Sequence, residues 1–488
     1  MMIKDNNGIV VSNFLWRFLE RCGAQGVTFI VSIVLARLLD PSVYGTVALV
    51  TVFTTVMQVF IDSGMGNALI QKKDADDLDF SSVFWFNMFM CAILYVIMYI
   101  SAPFIASFYK MPDLTPVVRV LSLILLISGI KNVQQAYVSK HMLFKRFFFS
   151  TLGGTLGAAI VGITMAYLGF GVWALVAQML FNAAVDTTIL WITVKWSPKK
   201  QFSFERLKGL FSFGWKLLVS SLIDTIYRDL TQLIIGKKYS SSDLAQYNQG
   251  QKFPQLIVTN INTSIDSVLL PTMSKAQDDS SIVKSMTRRA IKTSTYIMMP
   301  FMVGLAVCAE PLVSLILTDK WLPCVLFLRI FCFTYAFYPI HTANLNAIKA
   351  MGRSDLFLKL EIIKKIVGLV AILTTMWISV EAMAYSLLVT SVLGQIINSW
   401  PNKRLMNYSY LEQVKDMLPQ IGLSIFMGLI VYCVQFVGLN DILTLLIQVS
   451  VGAIIYISCS KLFHIDSYEY LINTVKGLLH KTKKETQL

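Results

Sequence analysis

Near its start the chain reads Asn13-Phe-Leu-Trp-Arg-Phe-Leu-Glu-Arg-Cys-Gly-Ala-Gln-Gly-Val-Thr-Phe-Ile-Val-Ser-Ile-Val-Leu-Ala-Arg-Leu-Leu-Asp-Pro-Ser-Val-Tyr-Gly45. The run is long enough for a spanning helix, because roughly 20 residues rising about 1.5 Å each cross the hydrocarbon of a bilayer. Its first half nevertheless carries Arg17, Glu20 and Arg21. At helical spacing Asn13, Arg17, Glu20, Arg21, Gln25 and Thr28 fall on one stripe, with Phe14 intruding. Leu15, Trp16, Leu19, Cys22 and Ile30 cover the opposite side. A charge at mid-membrane costs about 2.5–3.5 kcal/mol on the insertion scale, so such a stripe is tolerable only against water or partners. The stretch therefore predicts a polar space between membrane helices.

The rest of the chain agrees with that reading. Of its 488 residues 55% are hydrophobic and only 14% charged, a balance that excludes an ordinary soluble enzyme and points to a polytopic membrane protein. Long apolar runs recur throughout, which favours helices over the short alternating strands of a membrane barrel. The first residues, Met-Met-Ile-Lys-Asp-Asn-Asn-Gly, form a polar lead without a small-residue cleavage site, so no removable signal peptide is expected. The seven cysteines have no paired metal spacing and read as small apolar packing residues. The four histidines show no ligand spacing, and only His341 falls inside a predicted span. No metal or cofactor is expected.

Spans are expected at about 13–37, 44–65, 80–107, 114–137, 148–168, 170–194, 212–236, 244–270, 290–318, 321–348, 356–379, 382–400, 417–438 and 441–463, about fourteen in all. The net charge of +14 is distributed unevenly between alternate loops. One set, with the mouths of the adjoining spans, holds Lys72, Lys73, Lys140, Lys145, Arg146, Lys195, Lys199, Lys200, Arg206, Lys208, Lys275, Lys284, Arg288, Arg289, Lys292, Lys349, Arg353, Lys359, Lys364, Lys365, Lys403, Arg404 and Lys415, and the tail adds Lys461, Lys476, Lys481, Lys483 and Lys484, while the other offers Arg37, Lys110, Arg119, Lys237, Lys238 and Lys320. By the positive-inside rule both termini are expected in the cytoplasm. The basic balance is thus a topology signal, and nucleic acid is not an expected partner. The outward connections at 168–171 and 438–441 leave no room for a folded domain.

The expected organisation is a six-helix lobe over 1–196, a cytoplasmic interfacial linker over 197–211, a second six-helix lobe over 212–400, two additional spans over 401–463, and an amphipathic basic tail over 464–488. An internal echo supports two lobes. Tyr44 and Tyr247 end matching stretches, and Ile61-Asp62-Ser63 matches Ile265-Asp266-Ser267. The offsets, about 203 and 204 residues, fit a parallel repeat of six helices.

Candidate interior groups follow from the spans. Arg17, Arg21, Arg228 and Lys252 are the basic set. Two guanidinium groups one turn apart hold a phosphate or diphosphate by charge-assisted hydrogen bonds, which would suit an anionic lipid headgroup. The carboxylates Glu20, Asp62, Asp186, Asp224, Asp229 and Asp266 either neutralise such bases or bind a coupling ion, H+ or Na+. Trp16, Tyr227 and Tyr247 are candidates for stacking on sugar rings, against the alternative of plain packing. Lys131, Lys216, Arg329 and His341 are further intramembrane polar groups. Gly153, Gly154, Gly157 and Gly162 thin the fifth span for a close crossing.

Leu35-Ala36-Arg37-Leu38-Leu39-Asp40-Pro41 with Tyr44-Gly45, then Asp62-Ser63-Gly64, Ala68-Leu69-Ile70-Gln71 and Val83-Phe84-Trp85-Phe86-Asn87, resemble the Wzx-type oligosaccharide flippases of the multidrug/oligosaccharidyl-lipid/polysaccharide exporter superfamily. The resemblance implies an all-α polytopic fold of two six-helix bundles, related by pseudo-two-fold symmetry in a V, plus two C-terminal helices. It also implies the cargo, undecaprenyl-diphosphate-linked oligosaccharide moved from the cytoplasmic to the periplasmic leaflet of the bacterial inner membrane for lipopolysaccharide, O-antigen, capsule or exopolysaccharide. Polymerase and export components are the implied partners. The alternatives are a peptidoglycan-precursor flippase or a cation-coupled drug exporter of the same superfamily. A membrane glycan polymerase or transferase is disfavoured, since such enzymes generally need a large loop or a convergent acidic or histidine site.

Overall fold

The computed structural model describes residues 23–485 except 63, 64, 73 and 142, and among these it is almost wholly helical, with no strand. In chain order the helices are α1 (Gly23–Leu38), α2 (Pro41–Asp62), α3 (Met65–Gln71), α4 (Asp77–Tyr109), α5 (Leu114–Leu121), α6 (Leu123–Lys140), α7 (Phe144–Tyr167), α8 (Val172–Thr193) and α9 (Phe204–Lys238). Then come α10 (Ser241–Ser274), α11 (Ser280–Val307), α12 (Ala309–Leu317), α13 (Cys324–Ala336), α14 (Tyr338–Ala350), α15 (Ser354–Thr375), α16 (Val380–Met406), α17 (Tyr410–Cys433), α18 (Asp441–Leu462) and α19 (Asp466–Glu485). Each predicted span, over its described residues, falls on one helix or on two consecutive ones. The fourth and tenth are both broken, at Ser122 and at Phe337.

Short polar residues start these helices where the sequence places them. Asp76 and Asp79 form a reciprocal capping box at the head of α4, and Asp279, Ser379, Ser409 and Asn440 cap α11, α16, α17 and α18. Among the described residues, ten helical segments are long and apolar enough to cross a membrane. Predicted spans 1, 7, 8 and 11, now α1, α9, α10 and α15, are not among them: the described part of α1 is short, and the other three are too polar or too charged. The apolar helices turn large side chains outward, among them Phe89, Phe104, Ile160, Ile192, Leu446 and Ile454. That inversion suits lipid as solvent.

The chain divides into two compact units, residues 1–245 and 246–488. In the first, one core gathers Phe80, Val83, Phe84, Val133, Phe147, Leu190 and Trp196, and a second gathers Val31, Leu35, Val47, Ala159 and Leu175. Helices α7 and α8 pack along their whole length because α7 is thinned by glycine. A Cβ on Gly154 would lie 2.8 Å from Asn182 Oδ1 and 3.0 Å from the Asn182 carbonyl oxygen. In the second unit Met273, Ile291, Ile340, Ala347, Tyr408 and Met417 form one core, and Tyr296, Met427, Val431 and Tyr456 another.

The stretch between α8 and α9 is a strap fastened to α4. Ser81 Oγ accepts from the Lys199 backbone N–H at 3.0 Å, and Ser82 Oγ from that of Ser203 at 2.9 Å. Gln134 donates to the Trp196 carbonyl at 2.9 Å, and the Trp85 indole donates to that of Lys199 at 2.9 Å. Helix α9 thus begins against the first unit, and it ends there too. Tyr109 Oη donates to the Leu233 carbonyl at 3.4 Å, and Lys237 donates to that of Phe108. By compactness, therefore, α9 groups with the helices that precede it.

Candidate functional site

The first unit holds a polar cluster on the apolar helices α2, α4, α6 and α8. Asp62, the last residue of α2, accepts through Oδ1 from Gln58 Nε2 and from Asn132 Nδ2, both at 3.0 Å. Asn132 Oδ1 in turn accepts from Asn87 of α4 at 3.3 Å. Lys131, its neighbour on α6, forms a 3.0 Å ion pair with Asp186 Oδ2 on α8, while Asp186 Oδ1 is buried without a hydrogen-bond partner among the described residues. Two carboxylates and one ammonium thus lie on three adjoining helices, an arrangement able to retain or exchange a cation. Asn132 was not legible as a member, because an isolated asparagine in an apolar run reads as interhelical glue.

The second unit repeats the carboxylate–amide tie. Asp266 Oδ1 on α10 accepts from Asn346 Nδ2 on α14 at 2.9 Å. One turn earlier on both helices, Thr342 Oγ1 donates to Asn262 Oδ1 at 2.6 Å. Asp62 with Asn132 and Asp266 with Asn346 occupy matching helices of the sequence echo. Each asparagine follows the break in its own span, so the same side-chain bond recurs in both units.

The remaining candidates separate clearly. Trp16, Arg17, Glu20 and Arg21 lie outside the described residues, as does the side chain of Lys216. Arg228 on α9 is 62% exposed, and its Nε stands 3.8 Å from Oδ1 of the buried Asp229, so most of its donor fork is open to a ligand. Asp229 also accepts from Gln232 at 3.5 Å. Asp224 is exposed one turn before Arg228, with the half-buried Tyr227 between them. Lys252 on α10 is half-buried and has no carboxylate partner among the described residues. Arg329 pairs with Glu310 at 3.6 Å.

Tyr247 requires a correction. It is only 2% exposed, held edge-on between Phe327 at 5.8 Å and Phe331 at 5.1 Å, so it fills a core and offers no face to a sugar. An aromatic ring in a membrane helix gains as much by packing as by stacking, and spacing alone does not separate the two.

Beside the head of α4 the strap ends in charge. Asp79, fully buried, accepts from Lys72 at 2.6 Å and lies 3.4 Å from Arg206. The Asp79 backbone N–H on its side chain holds the Asp76 carboxyl below the usual carboxylate range. At the opposite end of α2 the contact with the α9–α10 corner is very close. A Cβ on Gly45 would overlap the Ser241 carbonyl oxygen, and one on Gly236 would overlap Leu49 Cδ2.

Residues 34–326 match the model of a family described as polysaccharide biosynthesis protein. The teichuronic acid biosynthesis protein TuaB of Bacillus subtilis is 25% identical over 83% of this chain and 85% of its own length. The lipopolysaccharide biosynthesis protein WzxC of Escherichia coli is 22% identical over 74% of each. Among solved structures, lipid II flippase MurJ in an inward closed conformation superposes with a TM-score of 0.74 over 94% of this chain and 99% of that one, at 14% identity, which establishes a shared fold. With most of its length matched by the family model, and with helices long and apolar enough to cross a membrane, the chain belongs to the polysaccharide biosynthesis protein family, as a multi-pass membrane protein.

Proposed function

We propose that the protein flips undecaprenyl-diphosphate-linked oligosaccharide units from the cytoplasmic to the periplasmic leaflet of a bacterial inner membrane, with both termini in the cytoplasm. The observation that carries this reading is the character of α9 and α10. Both have spanning length, neither is apolar enough to face lipid all round, and they bear exposed or half-buried Asp224, Arg228, Lys252, Gln255, Thr259, Asn260 and Thr263. A membrane helix keeps such a face only when it lines a polar space. A hydrated lane suits a cargo with a charged diphosphate and hydroxyl-rich sugars, and the polyprenyl tail remains in lipid.

In this reading Arg17, Arg21, Arg228 and Lys252 hold the diphosphate, Trp16 and Tyr227 stack on sugar, and the carboxylates Glu20, Asp62, Asp186, Asp224, Asp229 and Asp266 supply neutralising or coupling charge. Transport proceeds by alternating access between two six-helix lobes, 1–196 and 212–400, driven by H+ or Na+, in company with polymerase and export components. The double variant Arg228→Gln/Lys252→Gln, like Arg17→Ala/Arg21→Ala, should lower surface polysaccharide at least about tenfold with normal membrane levels of protein, the loss of one charge-assisted contact being worth roughly that factor. Full polysaccharide from both double variants would remove the diphosphate seat.

The likeness of fold to MurJ favours a second reading, a peptidoglycan lipid precursor as cargo. Transport by the purified protein in liposomes, with lipid-linked glycan repeat units set against lipid II, separates the two.

A further inference from the structure

Helix α18 is one of the spanning helices, and its 22 residues, at about 1.5 Å each, match the roughly 30 Å of a bilayer's hydrocarbon. Its last turn therefore reaches the level of the headgroups. Leu462 and Phe463 there are 72% and 65% exposed, as side chains are at the end of a lipid-facing span. His464 then turns the chain in the left-handed region, at φ 47°, and α19 begins at Asp466. Helix α19 thus starts at the surface of the membrane that α18 crosses.

Among the described residues, the contacts that fasten α19 to the second unit fall on 466–471. Lys292 of α11 donates to Asp466 at 2.6 Å, and the Arg289 guanidinium lies 5.0 Å from the centre of the Tyr470 ring. Tyr468 and Leu471 pack against the core of Tyr296, Met427 and Tyr456. At helical spacing the stripe that enters this core runs on through Ile472, 37% exposed, and then Val475 and Leu479. The apolar face of α19 is therefore longer than the part of it that the core covers.

Charge is sorted along the same helix. The two acids near its start are occupied, Asp466 by Lys292 and Glu469 by His464 Nδ1 at 3.1 Å. From Tyr470 to Lys484 the sequence has no acid and four lysines, Lys476, Lys481, Lys483 and Lys484. By spacing, Lys476 and Lys483 border the apolar stripe. Arg289 is exposed and has no carboxylate within ion-pair distance among the described residues, so it adds a cation at the base of this segment. A helix with basic residues flanking an apolar stripe lies in the plane of a bilayer, its stripe at the acyl boundary and its ammonium groups among the phosphates. The start at headgroup level and the one-signed charge both select a lipid surface that is negative.

We propose that α19 beyond Leu471 is a surface anchor. It lies on the leaflet where α18 ends and binds anionic phospholipid headgroups through Lys476, Lys481, Lys483 and Lys484, with Arg289 at its base. The inference needs only the crossing of α18, so it holds whatever the cargo is.

Hydrogen exchange over residues 472–484 of the full-length protein, one copy per lipid nanodisc, tests it. Exchange should be at least about tenfold slower in discs of mixed phosphatidylglycerol and phosphatidylcholine than in phosphatidylcholine alone, since each lysine near an anionic surface is worth roughly fivefold in binding. The variant Lys476→Gln/Lys481→Gln/Lys483→Gln/Lys484→Gln should abolish that difference, and high salt should shrink it. A second variant, Val475→Asp/Leu479→Asp, should speed exchange in both discs while residues 466–471 stay protected, which shows that the fold and the fastening are intact. Equal exchange in the two lipids, or a difference that the glutamine variant keeps, would overturn the proposal. Slow exchange in both lipids that Val475→Asp/Leu479→Asp leaves unchanged would seat the helix on the protein instead. Protection found only when two copies share a disc would assign this face to a second copy, and either result overturns the lipid anchor.

Discussion

Lys131 and Asp186 show how a single pair is held between apolar helices. Their side chains are 21% and 13% exposed, so either one left alone would be a partly buried charge without compensation. Lys131→Met should destabilise the protein by roughly 3 kcal/mol, and Lys131→Met/Asp186→Leu should recover most of that loss, because removing both ions also removes both desolvation costs. Thermal unfolding in detergent measures both. Additive losses would mean that the pair is not coupled. The sequence exposed these two as intramembrane charges, but their partnership crosses 55 residues of chain and depends on how α6 meets α8. Tyr247 illustrates the opposite case, where position on the helix was legible and the direction of burial was not.

The strap is the device at the scale of an element. Residues 197–211 read as an interfacial linker, yet its backbone is bonded to Ser81 and Ser82 of α4, and α9 already begins at Phe204. Ser81→Ala/Ser82→Ala removes two hydrogen bonds worth about 1 kcal/mol each, so opening of the strap should rise roughly thirtyfold. Trypsin cleavage after Lys199 or Lys200 in the native protein reports it, and an unchanged rate would show that the two serines do not hold the strap. The clamp is also predicted to be pH-sensitive. Asp76 has a depressed pKa when folded, so its contribution is full above the ordinary carboxylate value of about 4 and is lost as pH falls through the folded pKa. Nothing in the sequence around Ser81 and Ser82 marks them as anchors, and only the returning chain makes them so.

For the whole molecule, the tight junction between α2 and the end of α9 bears on transport. A Cβ at Gly236 would lie 3.0 Å from Leu49 Cγ, which puts it within about 4.5 Å of the Leu49 Cβ, the range of a disulfide. If alternating access requires these helix ends to part, Leu49→Cys/Gly236→Cys should stop polysaccharide assembly under oxidising conditions and resume it on reduction. Polysaccharide output from the fully cross-linked protein would show that this junction stays closed throughout the cycle. The matched Asp62–Asn132 and Asp266–Asn346 bonds sit in the two units separately, so each variant, Asn132→Leu or Asn346→Leu, tests one unit at a time.

The order of hydrophobic and polar residues was enough to establish a helical membrane protein and the place of its spans, because each of these is a property of one helix and its neighbours along the chain. Hydropathy and helical period act locally, and a membrane leaves the backbone little other choice. Which asparagine meets which aspartate, whether a ring faces a core or a channel and where the strap is tied were settled by packing between helices far apart in sequence. Those pairings depend on crossing angle and rotation of whole helices, and many side chains contribute to them at once, so no single residue announces them.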